Sequence, residues 1–442
     1  MNFMIEERMV VNMVRDAGDT PEADIHQGIT APRDPVGVKE TNNEATFDYC
    51  SPEYHKMISQ SLLNKGHNAR LKRAIQKAGQ GEPVVMAYIG GSITHGAGAI
   101  PIHLRSYAYR SYERFKAMFA PSDSGSIQLV KAGVGGTPSE LGMIRYDRDV
   151  LGDGQIQPDI VVIEFAVNDA DDETRGNCYE RLILKALAAD NKPAVILLFS
   201  VFENDWNLQD RLAPVGWHYN LPMVSMKDAL VEQFHKTKQE GNVVTKEQYF
   251  HDIYHPTNLG HQIMADALGH LFDAVNHAEL DQDDHDLRRP PVIGDDFVHV
   301  KLLDRKNGNQ LAKINPGCFA QTDTELQMAE MDDHDYATPL FPHNWMYTRG
   351  DRAEAQKFKL QMRCRCLLLI FKDSGSDEFG TALIKVDGVL TKQANPHEVN
   401  WTRCHAMLLI QDKHVREHTI EIEMAEGHED KRFTILGFGY VS

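Results

Sequence analysis

Two textures divide the chain. From about residue 50 to 278, short unbroken apolar runs alternate with stretches whose apolar residues recur at helical spacing. Val84-Val85-Met86-Ala87-Tyr88-Ile89 is apolar at every position, as a strand buried on both faces would be. Residues 126–136, 159–169, 193–202 and 221–226 read as further strands. Residues 106–120, 178–190, 227–240 and a long segment capped near Thr257 read as helices. Ahead of the first strand, Leu62, Leu63, Leu71 and Ile75 suggest one or two helices, with Ser51-Pro52 as the opening cap and first turn. Such alternation predicts βαβ units and a parallel sheet with helices on both sides.

The texture changes at residues 280–291, where charges of both signs and two prolines mark an exposed linker. Beyond it the period is two. Ile420, Ile422 and Met424 share one face, as do Ala382, Ile384 and Val386, and Asp387-Gly388 is a hairpin signal. The expected organisation is an arm over residues 1–48, an α/β domain over 49–280, a linker over 281–291 and an all-β sandwich over 292–442.

Three strands of the α/β part end in polar or glycine residues: at Ser92, at Gly135-Gly136 and at Asn168-Asp169. Open α/β sheets gather such ends at one edge, where ligands bind. Asp252 stands three residues before His255, just ahead of a helix. These parts suit acyl transfer. A serine hydroxyl needs a base to take its proton, and imidazole titrates near neutrality. A carboxylate on the far ring nitrogen fixes the tautomer. The N–H groups of Ser92 and Gly136 and the amide of Asn168 would serve a developing oxyanion. Each residue also has an ordinary reading. Ser92 and Asn168-Asp169 suit helix caps, Gly135-Gly136 suits a turn, and Asp252 with His255 suits a surface pair.

In their order, "GGSIT", "AGVGGT", "VNDA" and "DIYHP" resemble the four blocks of the SGNH (GDSL-type) esterases over about residues 82–275. The resemblance implies a flavodoxin-like three-layer α/β/α fold. It also implies Ser92 as nucleophile, His255 as base, Asp252 as its orienting acid, and Ser92, Gly136 and Asn168 as the oxyanion hole. Two positions depart from the family pattern: the usual acid of the first block is Gly91, and an asparagine common before the second is Lys131. Residues 371–388 and 433–438 resemble the jelly-roll-like β-sandwich that accompanies carbohydrate-deacetylating members. The implied activity is hydrolysis of small esters, O-acetyl on plant-type oligo- or polysaccharides foremost, with no metal or organic cofactor. A lipase or thioesterase, a transferase using the same acyl-enzyme, and a catalytically silent carbohydrate-binding protein are the rival readings.

Charge and cysteine content narrow the field. A net charge of −18 disfavours nucleic acid and anionic membranes as partners. No apolar run approaches a membrane span, and the N-terminus is a poor secretory signal, so a cytoplasmic protein is expected. A secreted form already cleaved of its leader would read the same. Association of identical copies stays open. The six cysteines are scattered without a CxxC pair, which argues against zinc. Cys364 and Cys366 are expected to share one strand face as buried thiols. His95, His251 and His261 compete weakly with His255. Glu164, within an apolar run, suits a strand-end contact or a buried acid partnered by Lys131 or Arg145, and Trp345 and Trp401 suit core or interdomain packing, or sugar stacking.

Overall fold

The computed structural model describes residues 44–121, 126–328, 339–350 and 357–442. The reading of residues 1–43 as an arm without a secretory leader lies outside the described residues.

The first sheet contains six strands: β1 (Leu62–Asn64), β2 (Val84–Gly90), β3 (Ile127–Gly133), β4 (Ile160–Glu164), β5 (Ala194–Phe199) and β6 (Met223–Ser225). Their order is β1-β6-β5-β4-β2-β3. The strands β2 to β6 are parallel, and only β1 runs antiparallel, on the β6 edge. Counted along the chain, the parallel strands follow the flavodoxin-like order 2-1-3-4-5, whose switch point lies between the carboxyl ends of β2 and β4. Helices cover both faces. Met86, Tyr88, Val162, Ile196 and Leu198 pack under Tyr107–Phe119 and Asn258–His277, while Ala87, Ile89, Val161, Ile163 and Leu197 pack under Ser139–Asp149 and Asn177–Leu187. Alternate residues of each strand serve opposite cores, so no strand carries a polar stripe.

Local chemistry places several helix ends. Ser51 Oγ accepts from the Tyr54 N–H, Ser106 Oγ from Tyr109 and Thr257 Oγ1 from Gly260. Several elements differ from the expectation, among them the helix Ser139–Asp149, which the pattern does not mark. Leu62 and Leu63 belong to β1 rather than to a helix, paired with β6 across only three residues. Gln209–His218 is an additional helix with Pro214 inside it.

The strands of the C-terminal part are β7 (Lys301–Leu303), β8 (Lys313–Asn315), β9 (Trp345–Tyr347), β10 (Phe358–Asp373), β11 (Ala382–Val386), β12 (Val389–Ala394), β13 (Arg403–Met424) and β14 (Phe433–Val441). All are antiparallel and joined in one hydrogen-bonded network. β10 pairs with β13 along its whole length; its other edge is shared between β8 and β14. The Phe358 ring lies 5.9 Å from that of Phe438, yet Phe438 pairs with Leu369, eleven residues further along β10. An unbent strand would separate them by roughly 36 Å. The sheet therefore folds over on itself, and its two halves form the sandwich. The β11–β12 turn at Asp387-Gly388 has positive φ at both residues, 51° and 83°, as a type I′ hairpin requires.

The bend corrects one expectation. The register of β10 shifts between Cys364 and Cys366, so the two thiols do not share a face. Cys364 enters the interior of the sandwich, whereas Cys366 joins Leu368, Ile370, Ala406 and Leu436 against the α/β part. Both thiols are buried, and burial raises them to about 12 and about 11. All six cysteines are free.

The two parts share one core. The sandwich face bearing Leu368, Ile370 and Leu436 continues the cluster that contains Leu141 and Ile144 of the helix Ser139–Asp149. The connecting segment is tied down on the α/β part. Asp284 pairs with Arg70 at 2.7 Å, and Glu180 accepts from the N–H groups of Val292, Ile293 and Gly294.

Candidate active site

β2 ends at Gly90, and the short helix Ser92–His95 begins two residues later. Ser92 is its first residue, so its N–H belongs to the turn that has no intrahelical acceptor. Arg145, 1% exposed, braces the strand ends from beneath: Nη2 donates to Gly90 O at 2.9 Å and Nη1 to Ala132 O at 2.7 Å.

His255 arrives from the loop before the helix Asn258–His277. Its Nε2 lies 2.9 Å from Ser92 Oγ, and its Nδ1 lies 2.8 Å from Asp252 Oδ2. Asp252 Oδ1 accepts from the N–H groups of Tyr254 and His255 at 2.7 and 2.8 Å. Those two bonds make the Asp-x-x-His spacing a closed turn that points both side chains one way. Burial pushes the Asp252 carboxyl up, but the hydrogen bond and charge of His255 and the two N–H donors outweigh it and hold the group below its ordinary value. Asp252 is therefore ionised at neutral pH, which fixes a proton on Nδ1 and leaves Nε2 facing the serine as acceptor.

The other two blocks meet the same point. A Cβ built on Gly91 would lie 2.1 Å from Asn168 Oδ1, so the Asn168 amide fills the place that a side chain at 91 would take. A side chain at 91 would have to displace Asn168 from this place. A Cβ on Gly135 would stand 4.0 Å from Ser92 Cβ, and Gly136 has φ +63°, a conformation glycine adopts without strain. Asp169, beside Asn168, does not cap the following helix. Its carboxylate accepts from the Ser139 N–H and Oγ at 2.7 and 2.8 Å, capping the helix that follows the Gly135-Gly136 turn and locking the two loops together.

The competing residues have other tasks. His261 is fully buried. Its Nδ1 accepts from the Tyr107 N–H and its Nε2 donates to Ala97 O, and burial lowers it to about 3. His95 is buried at the end of its short helix, and His251 is exposed. Glu164 meets neither Lys131 nor Arg145; its Oε2 accepts from Thr94 Oγ1 at 3.4 Å, and burial raises it to about 7. Arg145 pairs instead with Asp149. Trp345 is core, packed edge-on against Phe358.

The sandwich reaches the same point, and nothing in the chain's periodicity announces it. The Trp401 ring lies against Gly135 and Gly136, 2.8 Å from where a Cβ on Gly136 would be. Gln327 Nε2 donates to Gly135 O at 2.8 Å. Arg403 reaches Asp171 at 3.6 Å, and Lys392 pairs with Glu173 at 3.0 Å, both acids lying just after Asn168. Asp373, Glu398 and His405 stand close enough to share a cation, but the Arg403 guanidinium already sits among them, at 3.1 Å from each carboxylate.

Residues 88–263 match the GDSL-like lipase/acylhydrolase family. A solved structure described as a two-domain esterase (CEX) active on acetylated mannans is similar over 87% of this chain and 99% of its own, at 26% identity and a TM-score of 0.73. The same esterase co-crystallised with mannopentaose matches at 26% identity and a TM-score of 0.72, covering 87% of this chain and 98% of that one. The search of curated proteins returned no match. No described helix is long and apolar enough to cross a membrane. The chain thus carries a GDSL-like lipase/acylhydrolase domain joined to an accessory β-sandwich, and it is a carboxylic ester hydrolase.

Proposed function

We propose that the protein is a serine esterase that removes small acyl groups, chiefly O-acetyl, from mannan-type oligo- or polysaccharides. The observation that carries the chemistry is the relay Asp252–His255–Ser92, with contacts of 2.8 and 2.9 Å. In this reading His255 Nε2 takes the Ser92 proton as Oγ attacks the ester carbonyl carbon. Asp252 stabilises the resulting imidazolium. The tetrahedral oxyanion accepts from the N–H groups of Ser92 and Gly136 and from the Asn168 side chain. Collapse breaks the bond to the sugar oxygen, which leaves with the proton from His255. Water, deprotonated by the same imidazole, then attacks the acyl-enzyme; acid is released and Ser92 regains its proton.

Support for the substrate comes from two directions. The likeness to the acetylated-mannan esterase extends over both parts of the chain. In addition, Trp401 of the sandwich stands beside the proposed oxyanion turn, where an aromatic face suits a sugar ring. The test is acetate release from acetylated manno-oligosaccharides, set against hydrolysis of aryl esters of rising chain length. The reading expects acetyl esters to be preferred and manno-oligosaccharides to be deacetylated. Preference for long acyl chains, or no acetate release from any acetylated glycan, would overturn it.

A further inference from the structure

We infer that Gln327, from the β-sandwich, is a positioning residue for the oxyanion hole: it sets the direction in which the Gly136 N–H points. This rests on the esterase reading above. The carbonyl of Gly135 and the N–H of Gly136 belong to one peptide unit. That unit is trans, since the one cis bond among the described residues is Ile100-Pro101. A trans peptide is planar, and its C=O and N–H point in opposite directions. Whatever holds the oxygen therefore aims the hydrogen.

Gln327 holds that oxygen. Its Nε2 donates to Gly135 O at 2.8 Å, and its Oε1 accepts from the Cys404 N–H at 2.8 Å. The pair of bonds fixes the amide orientation, because a flipped side chain would set oxygen against oxygen and N–H against N–H. The residue is 7% exposed, and Cys404 lies in β13 among the buried residues of the shared core. Gln327 stands outside the regular strands, and its bond from the Cys404 N–H anchors its side chain to β13. On the glycine side, Gly136 at φ +63° and without a Cβ admits more than one peptide orientation, so the groups packed around the turn decide which is adopted. A hydrogen bond accepted by the carbonyl also polarises the N–H of the same unit, strengthening it as a donor. Trp401 closes the other flank of Gly136. One donor of the proposed hole is therefore aimed by a residue far away in sequence, on the other part of the molecule.

Two variants test this on the full chain. Gln327→Glu keeps the acceptor for Cys404 but presents a carboxylate to Gly135 O; Gln327→Met keeps the length and loses both bonds. The probe is 4-nitrophenyl acetate, which needs no sugar contact. Loss of a whole oxyanion donor typically costs about 10²–10³ in rate, and a misaimed one is expected to cost about 10–100-fold in kcat. KM should stay within about threefold, because the ground-state carbonyl depends little on that donor. A residue that only holds the domains together would lower the melting temperature and leave kcat intact below it. Folded Gln327→Glu protein with kcat within about twofold of the parent would overturn the inference. If Gln327→Met does not fold, Gln327→Glu decides alone. An inactive parent chain would instead sink the esterase reading itself, so the two failures are distinct.

Discussion

Ser92, His255 and Asp252 carry the proposed chemistry through two short contacts, and substitution at each should show a different signature. Ser92→Ala is expected to lower kcat on aryl acetates by at least about a thousandfold without loss of stability. Asn168→Ala should cost about 10²–10³, with KM little changed, as for a donor used mainly in the transition state. Glu164 makes a prediction about stability. Burial raises its carboxyl from 4.5 to about 7, so the folded state binds a proton more tightly than the unfolded chain. Its penalty is absent below about pH 4.5, grows as pH rises toward 7, and is constant above. Each tenfold difference in proton affinity between the two states is worth about 1.4 kcal/mol, so Glu164→Gln should gain about 3 kcal/mol at neutral pH and nothing near pH 4. Denaturant titrations at both pH values measure it; an equal gain at acid and neutral pH would contradict the argument.

At the scale of elements, the loops after β2, β3 and β4 meet because the flavodoxin-like order puts those strands side by side. Asp169 then ties the β4 loop to the helix after β3. Gly136 is where that assembly meets the sandwich most closely among the loop glycines. Gly136→Ala combines φ +63° with a contact of 2.8 Å to the Trp401 ring. It should cost about 1–2 kcal/mol from backbone strain alone and strongly reduce kcat. A melting curve and an aryl acetate assay suffice, and an unaffected variant would mean that the turn relaxes freely. Much of this layer was legible in the chain, because a buried parallel strand is an unbroken apolar run and its end is marked by glycine or a polar residue. Some was not. The strand β1 has three residues at a sheet edge and so shows no period. The register shift between Cys364 and Cys366 inverts two side chains without any local mark. Pro214 hides the helix Gln209–His218.

For the whole molecule, the division at residues 281–291 is a change of texture rather than a seam in the core. Leu368, Ile370 and Leu436 of the sandwich pack with Leu141 and Ile144 of the α/β part. Calorimetry of the full chain is expected to give a single cooperative transition, and a fragment ending at residue 291 should aggregate, since it would bare that face. Two well-separated transitions would show the parts to be independent. Contacts across this face, by Gln327, Trp401 and Arg403, join residues of unremarkable type that are distant in sequence, so no motif could have signalled them. Ser92, Gly136, Asn168 and His255 could be picked out because each lies in a recognisable block, just after a strand or just before a helix.

The most direct measurement of the central claim is peptide-mapped mass spectrometry after exposure to a fluorophosphonate, which reacts with a serine activated by an adjacent base. The account predicts one adduct, on Ser92, that forms much more slowly in His255→Ala and is absent in Ser92→Ala. An adduct on another serine, or labelling undiminished when Ser92 is replaced, would contradict it.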